Sequence, residues 1–419
     1  MRALGSIVCV LAVMAAGAVK AQEASPDRAA LFDSLDQMVR SQYYDPHFNG
    51  RDWPAISARY RGRLGEVRSD AEFQRLGQGM LNELGVSHVV LHAPGQGGSG
   101  MGLGARLERL QGAMVVVDID PASAARGAGL RVGDRILNPE RIAGPPDEPA
   151  RLDVEHCDGR RASLSAPRET AYWPPRERTM SWSSIRRGDG RSVGYLRADR
   201  FNDDGVELID AAMAALSETD GLIIDVRQNS GGNASALRLV SYFADAGPGV
   251  VLLSRSFLEA LDGPLEAADL ADVHRAPRAY TTEAVFQAVT EGQGAVILMT
   301  EDLGDTRYRN PVVVLIGPET GSAAEGFAWG MRRGSDAVLI GRESAGALLS
   351  SERFDLIDGW AVTLPVHGIW GADGEDFGDR AVPPHVETTW TRDAVCRGED
   401  PDLETAIRTL EKTWAERSA

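Results

Sequence analysis

The sequence predicts a multidomain α/β protein with a helical N-terminal segment, a compact β-rich unit and an α/β core. Three observations carry this expectation. From about Met180, apolar runs such as Gly221 to Val226 and Pro311 to Ile316 alternate with helical repeats such as Gly205 to Leu216 and Ala323 to Arg332, as expected for a largely parallel sheet joined by helices. Upstream, Leu31, Leu35, Met38 and Val39 recur at helical spacing. Between the two lies a stretch of β-branched runs and glycine turns, and 419 residues are enough for two or three domains.

The bulk numbers narrow the function. A formal net charge of -17 gives an acidic surface that repels phosphate backbones, so nucleic acid is excluded as a partner. Residues 1–21 read as a signal peptide, with Arg2 before a short apolar core from Ile7 to Ala18 and small residues around Val19 and Ala21. The alternative is an uncleaved anchor. A secreted or periplasmic location follows, with no stable membrane insertion after cleavage. Export makes a Cys157–Cys396 bridge chemically possible, although sequence leaves the pairing open. No cofactor and no metal are expected.

The elements fall into order along the chain. Residues 26–97 form a helical cap that ends in a short strand, with Ser69 or Asp70 as an N-cap for the repeat from Ala71 to Leu84. Residues 98–168 hold a β-branched run (Met114 to Ile119), a short helix stopped at Gly127 to Leu130, and a tight turn from Val132 entering a strand. Residues 178–395 hold the α/β core, and residues 396–419 a C-terminal helix. The segment Glu259 to Glu291 is less regular and reads as an inserted lid or excursion.

Three segments carry chemistry. Gly321-Ser322-Ala323-Ala324-Glu325-Gly326 follows an apolar strand and opens a helix. A serine there meets unpaired N–H groups that favour a developing anion, though serine is also an ordinary N-cap. Gly231 and Gly232 follow the strand ending at Asp225 and could form an oxyanion hole, a phosphate loop or a tight turn; no phosphate-loop lysine follows. In Gly85-Val-Ser87-His88, His88 could be a general base with Ser87 beside it; His88 and His92 could also be metal ligands, or a histidine at a domain seam.

Taken together, these motifs resemble peptidase family S41, which holds the C-terminal processing and tricorn-type proteases. Gly102-Leu103-Gly104-Ala105, the helix before Gly127 and the Val132-Gly-Asp-Arg-Ile-Leu137 turn look like a PDZ domain. The strand before Asp225, the glycine pair, Gly321 to Glu325 and Ile340-Gly-Arg-Glu-Ser-Ala-Gly346 look like the family's ClpP/crotonase-like core. The resemblance implies an endo- or carboxy-terminal serine peptidase acting on peptides or proteins; the alternatives are a catalytically impaired peptide-binding member, from the altered Glu375 to His385 stretch, and a hydrolase of a non-peptide ester or amide. Processing proteases use a Ser-Lys dyad, but here Ala347 stands about where that lysine would be, and Lys20 and Lys412 are the lysines present. The tricorn-type design fits instead. It makes Ser322 the nucleophile, His88 the base and Ser87 its neighbour, with the backbone N–H groups of Gly231 or Gly232 and of Ala323 holding the oxyanion. The family's orienting glutamate aligns with Gly378, so Asp379, Asp376 or Glu375 is expected to stand in for it. The loop Gly102, Leu103, Gly104 and Ala105 is expected to bind a peptide's terminal carboxylate.

Overall fold

Strands and helices form where the sequence expects them, but they assemble into two core sheets. The computed structural model describes residues 27–94, 102–142, 144, 148–169, 179–378 and 380–418. The signal segment and Asp379 lie outside these residues.

The N-terminal cap consists of α1 (Arg28–Gln42), α2 (Trp53–Arg61) and α3 (Asp70–Asn82), followed by β1 (Val90–His92). Each helix starts on a side-chain cap: the Asp27 carboxylate accepts from Ala29 and Ala30, the Asp52 side chain from Ala55, and Ser69 from Glu72. Their apolar faces bury Leu31, Leu35, Trp53, Phe73 and Met80. The same hydrophobic cluster continues into Val251, Trp360 and Val362 of the core, so the cap and core share one interior.

The middle unit is a five-stranded antiparallel sheet in the order β2 (Ala105–Leu110), β3 (Ala113–Ile119), β4 (Arg135–Ile136), β5 (Ala150–Glu155) and β6 (Arg161–Ala166). The four-residue α4 (Ala124–Gly127) lies between β3 and β4 and is capped by Ser123. Leu103, Val116, Leu130 and Leu152 fill this PDZ-like unit's core. Strand β2 is an edge of the sheet.

The core holds β7 (Met180–Arg186), β8 (Ser192–Ala198), α5 (Gly205–Leu216), β9 (Gly221–Asp225), α6 (Ala236–Ser241), β10 (Pro248–Ser254), α7 (Arg255–Glu259), β11 (His274–Pro277), α8 (Thr282–Glu291), β12 (Ala295–Met299), β13 (Val312–Ile316), α9 (Ala323–Gly334), β14 (Val338–Gly341), β15 (Ser350–Asp355), β16 (Ala361–Trp370), β17 (Val386–Glu387), α10 (Arg392–Arg397) and α11 (Pro401–Ser418). One sheet runs β17-β14-β13-β9-β8-β7. It is parallel except for the β7–β8 pair. The other runs β1-β16-β10-β12-β11, with β15 on β16, and its pairs are antiparallel except β11–β12. The first is the largely parallel sheet expected from the sequence; the second, mostly antiparallel sheet adds to it. Strands β10, β12 and β16 pair across long stretches of sequence, which local periodicity does not encode. The segment from Glu259 to Glu291 is not a simple excursion, since it supplies β11 to this sheet and α8 beside it.

Two of these pairings position the site. Strand β1 pairs with β16, Leu91 opposite Val362, which delivers His88 to the core. Strands β9 and β13 are parallel neighbours, Ile224 opposite Val314, which sets the loops after them side by side. Helix α11 covers the outer face of this sheet with Leu410 and Trp414.

The PDZ-like unit is fastened to the core. Cys157 and Cys396 form a disulfide across a sequence separation of 239. Beside it, Arg392 donates to the Gly133 carbonyl at 2.9 Å, to Glu155 Oε1 at 2.9 Å and to the His156 carbonyl at 2.7 Å. Arg342 reaches Glu108 of β2 at 2.7 Å. Closing so long a loop constrains the unfolded chain, and losing such a bridge typically costs about 2–5 kcal/mol. Cys157→Ser and Cys396→Ser are each expected to lower the thermal midpoint of the oxidised protein; midpoints equal to wild type by calorimetry would contradict a structural bridge.

Candidate active site

The loop from Gly317 to Gly321 turns the chain from β13 into α9 and leaves Ser322 at φ +51°. This is costly for a residue with a Cβ, and strain of this kind persists only where the surroundings enforce it. Here the enforcing group is Glu325. Its side chain is fully buried. One oxygen accepts from the Ser344 hydroxyl at 2.6 Å and the Gly346 N–H at 2.6 Å; the other accepts from the Ser322 N–H at 3.0 Å and the Ala347 N–H at 2.8 Å. One carboxylate thus ties the Ser322 turn to the loop after β14. Burial raises its pKa, and the four hydrogen bonds partly offset this. The sequence displays Glu325 three residues after Ser322 but assigns it no role, because its other partners lie some twenty residues downstream with no pattern linking them.

The two glycines after β9 divide their tasks. The Gly231 N–H donates to Asn229 Oδ1 at 2.8 Å, so it is turned away from any ligand, and the expectation that Gly231 supplies an oxyanion donor is corrected. Gly232 sits at φ +138° against the Phe201 carbonyl, where a Cβ would come within 1.8 Å of the Phe201 oxygen. Only glycine fits there. No described residue takes the N–H of Gly232 or that of Ala323, the first residue of α9, and both residues line one cavity with Ser322.

That cavity measures about 340 Å³, and His88 lines it as well. His88 has φ +61°, and its Nδ1 is 2.9 Å from Ser87 Oγ. Burial lowers its pKa below the ordinary 6.5, which keeps the ring neutral at physiological pH. Ser322 and His88 share the cavity wall without a hydrogen bond between them, as is common before substrate draws the groups together. His92 points elsewhere, with its Nε2 2.9 Å from Thr363 Oγ1.

The expected stand-ins for the orienting acid lie apart from this cavity. Glu375 pairs with Arg333 at 2.6 Å on the surface, and Asp376 accepts from the Gly378 N–H at 2.8 Å. Asp379 is outside the described residues. His385 is structural: its Nδ1 accepts from the Leu339 N–H at 3.0 Å beside β14.

The PDZ-like loop also differs from expectation. Gly102 pairs its N–H and C=O with Glu169, each at 2.8 Å. Its amide is therefore unavailable to a peptide carboxylate, which corrects that assignment. Leu103 is buried in the unit's core. Gly104 is at φ +61°, and its carbonyl accepts from Asp120 at 2.8 Å. Ala105 opens the edge strand β2.

A serine strained on a turn between a buried strand and a helix is the arrangement that α/β serine hydrolases use to expose a nucleophile. Comparison with known proteins gives the family. Residues 192–388 match peptidase family S41, and residues 25–82 match the tricorn protease C1 domain. Residues 192–388 thus form a peptidase family S41 domain, and the chain is similar to tricorn-type and C-terminal-processing proteases. It is 25% identical over 411 residues to tricorn protease homolog 1 of Streptomyces coelicolor, covering 90% of this chain and 34% of that protein. To the carboxyl-terminal-processing protease of Synechocystis it is 24% identical over 366 residues, covering 79% of this chain and 74% of the other. The chain thus spans about a third of the length of the tricorn homologs it matches. Among solved structures, the photosystem II D1 C-terminal processing protease superposes with a TM-score of 0.56 at 20% identity, covering 92% of this chain and 98% of that one. Mature CPAF complexed with lactacystin superposes with a TM-score of 0.61 at 15% identity, covering 92% and 98%. These likenesses establish the shared fold.

Replacing Glu325 tests the tie. Glu325→Leu strands four donors, each costing about 1–3 kcal/mol when buried and unpaired, so a loss of at least about 3 kcal/mol is expected in chemical denaturation. A loss below about 1 kcal/mol would mean the carboxylate is not the organising group.

Proposed function

We propose that the chain is a serine peptidase that cleaves peptide bonds through an acyl-enzyme on Ser322. The observation that carries this reading is the single cavity shared by Ser322, His88 and the unclaimed amides of Gly232 and Ala323. In the base-competent tautomer, Nδ1–H of His88 donates to Ser87 Oγ and Nε2 keeps its lone pair. Nε2 takes the proton of Ser322 Oγ as that oxygen attacks the scissile carbonyl. The carbonyl oxygen becomes an oxyanion, held by the N–H groups of Gly232 and Ala323; one such donor typically contributes about 2.7–4 kcal/mol to lowering the barrier. Collapse expels the amine, which takes the proton from His88. Water, deprotonated by His88, then releases the acid and restores Ser322.

Ser87 positions the imidazole in this scheme. Leu103, Gly104 and Ala105 remain candidates to receive a substrate's terminal carboxylate, with the peptide adding to the free edge of β2. The fastening of the PDZ-like unit to the core supports a fixed approach path. A secreted or periplasmic location accords with the disulfide. Among the described residues no helix is long and apolar enough to cross a membrane.

Two measurements test this. Wild type is expected to cleave unstructured protein substrates, with Ser322→Ala giving no product and His88→Ala slowing cleavage by about 10²–10⁴-fold. Equal product from wild type and Ser322→Ala would overturn the assignment. Because the base must be neutral and burial lowers its pKa, kcat/KM should hold as pH falls to 6.5 and decline only below it. An acid limb centred above 6.5 would point to a different base.

A further inference from the structure

The cavity that Ser322 and His88 line also has apolar side chains on its wall. Its far walls are apolar, built from Leu237 of α6, Leu252 of β10, Leu298 of β12 and Ile369 of β16, with Val285 and Phe286 of α8 closing one side. Phe286 is 47% exposed. Polar side chains line the cavity too, among them Arg200, Asn233, Thr282 and Ser350, and one of the polar groups is deeply buried. His367, on β16, lines the same cavity and is only 8% exposed. Its Nδ1 lies 3.5 Å from Ser350 Oγ, the outer limit of a hydrogen bond, and its Nε2 has no partner among the described residues. Burial depresses its pKa to about 4, so the ring is neutral when the protein works. That unpartnered nitrogen is left to solvent or to a ligand in the cavity.

Resting on the peptidase reading above, we propose that this chamber is a side-chain pocket for tyrosine adjoining the scissile bond, with His367 recognising the phenol hydroxyl. The chemistry selects that side chain. Apolar walls favour an aromatic ring over a flexible polar chain. A hydroxyl both donates and accepts, so it complements either tautomer of His367. An ammonium would be buried there without a counter-charge, whereas a carboxylate would pair with Arg200 of the same lining rather than with His367. Phenylalanine fills the same volume but leaves His367 unpaired, and sites built to bond a hydroxyl discriminate against the analogue lacking it.

Paired peptides differing only in tyrosine or phenylalanine at one position test this, with cleavage sites mapped by mass spectrometry. Wild type should cut beside tyrosine roughly ten- to a hundredfold faster than beside phenylalanine. His367→Leu should erase the difference while still cutting beside leucine, and His367→Gln, which keeps a hydrogen-bonding tip, should retain part of it. Equal rates in wild type, or a tyrosine preference that survives in His367→Leu, would overturn the pocket assignment. Binding of the same peptides to Ser322→Ala, read by fluorescence anisotropy, separates this idea from the peptidase reading. If wild type cuts nothing but Ser322→Ala still holds the tyrosine peptide roughly tenfold tighter, the pocket stands and the cleavage chemistry falls. No difference in binding removes the pocket.

Discussion

The buried carboxylate of Glu325 is the constraint on which the site depends. It accepts from four donors in two loops, the turn bearing Ser322 and the segment from Ser344 to Ala347, which a backbone bond from the Ala345 N–H to the Thr320 carbonyl at 2.9 Å also joins. Sheet pairing brings those loops into range, because β13 and β14 are parallel neighbours and both loops leave at the same ends of the strands. The hydrogen bonds then fix the backbone of Ser322 in a conformation that an L-residue otherwise avoids. With that turn fixed, Ser322 and the unclaimed N–H of Ala323 belong to one element on the cavity wall.

The other half of the site arrives by a different route. His88 belongs to the cap, yet strand β1 belongs to the core's second sheet through its pairing with β16. The cap therefore cannot separate from the core without breaking sheet hydrogen bonds and a shared apolar interior. A base supplied from the cap is thus held as firmly as one supplied from the core. The loop where the lysine of a Ser-Lys dyad would stand gives its backbone to Glu325, with the Ala347 N–H bonded at 2.8 Å.

Much of this was legible in the sequence, and the rest was hidden for physical reasons. The parallel sheet announced itself because Gly221 to Asp225 and Val312 to Ile316 are short, continuous apolar runs flanked by amphipathic helices. The second sheet did not, since its antiparallel pairs join strands from widely separated segments, and nothing local specifies a partner. Ser322 and His88 stood out as residue types in a suggestive order. Which glycine faces the cavity was unreadable, because Gly231 and Gly232 follow the same strand and only the Asn229 side chain decides between them. His367 was invisible for a similar reason: a lone histidine in a long strand gains meaning only from the apolar walls that fold around it.

The central claim is that Ser322 is a nucleophile activated inside this cavity, and covalent capture tests it most directly. The oxidised protein would be treated with a fluorophosphonate, and the adduct located by peptide mass spectrometry. One phosphonyl group per chain is expected, on Ser322, with labelling that slows in His88→Ala and disappears in Ser322→Ala. Labelling on another serine, or at the same rate without His88, would contradict it.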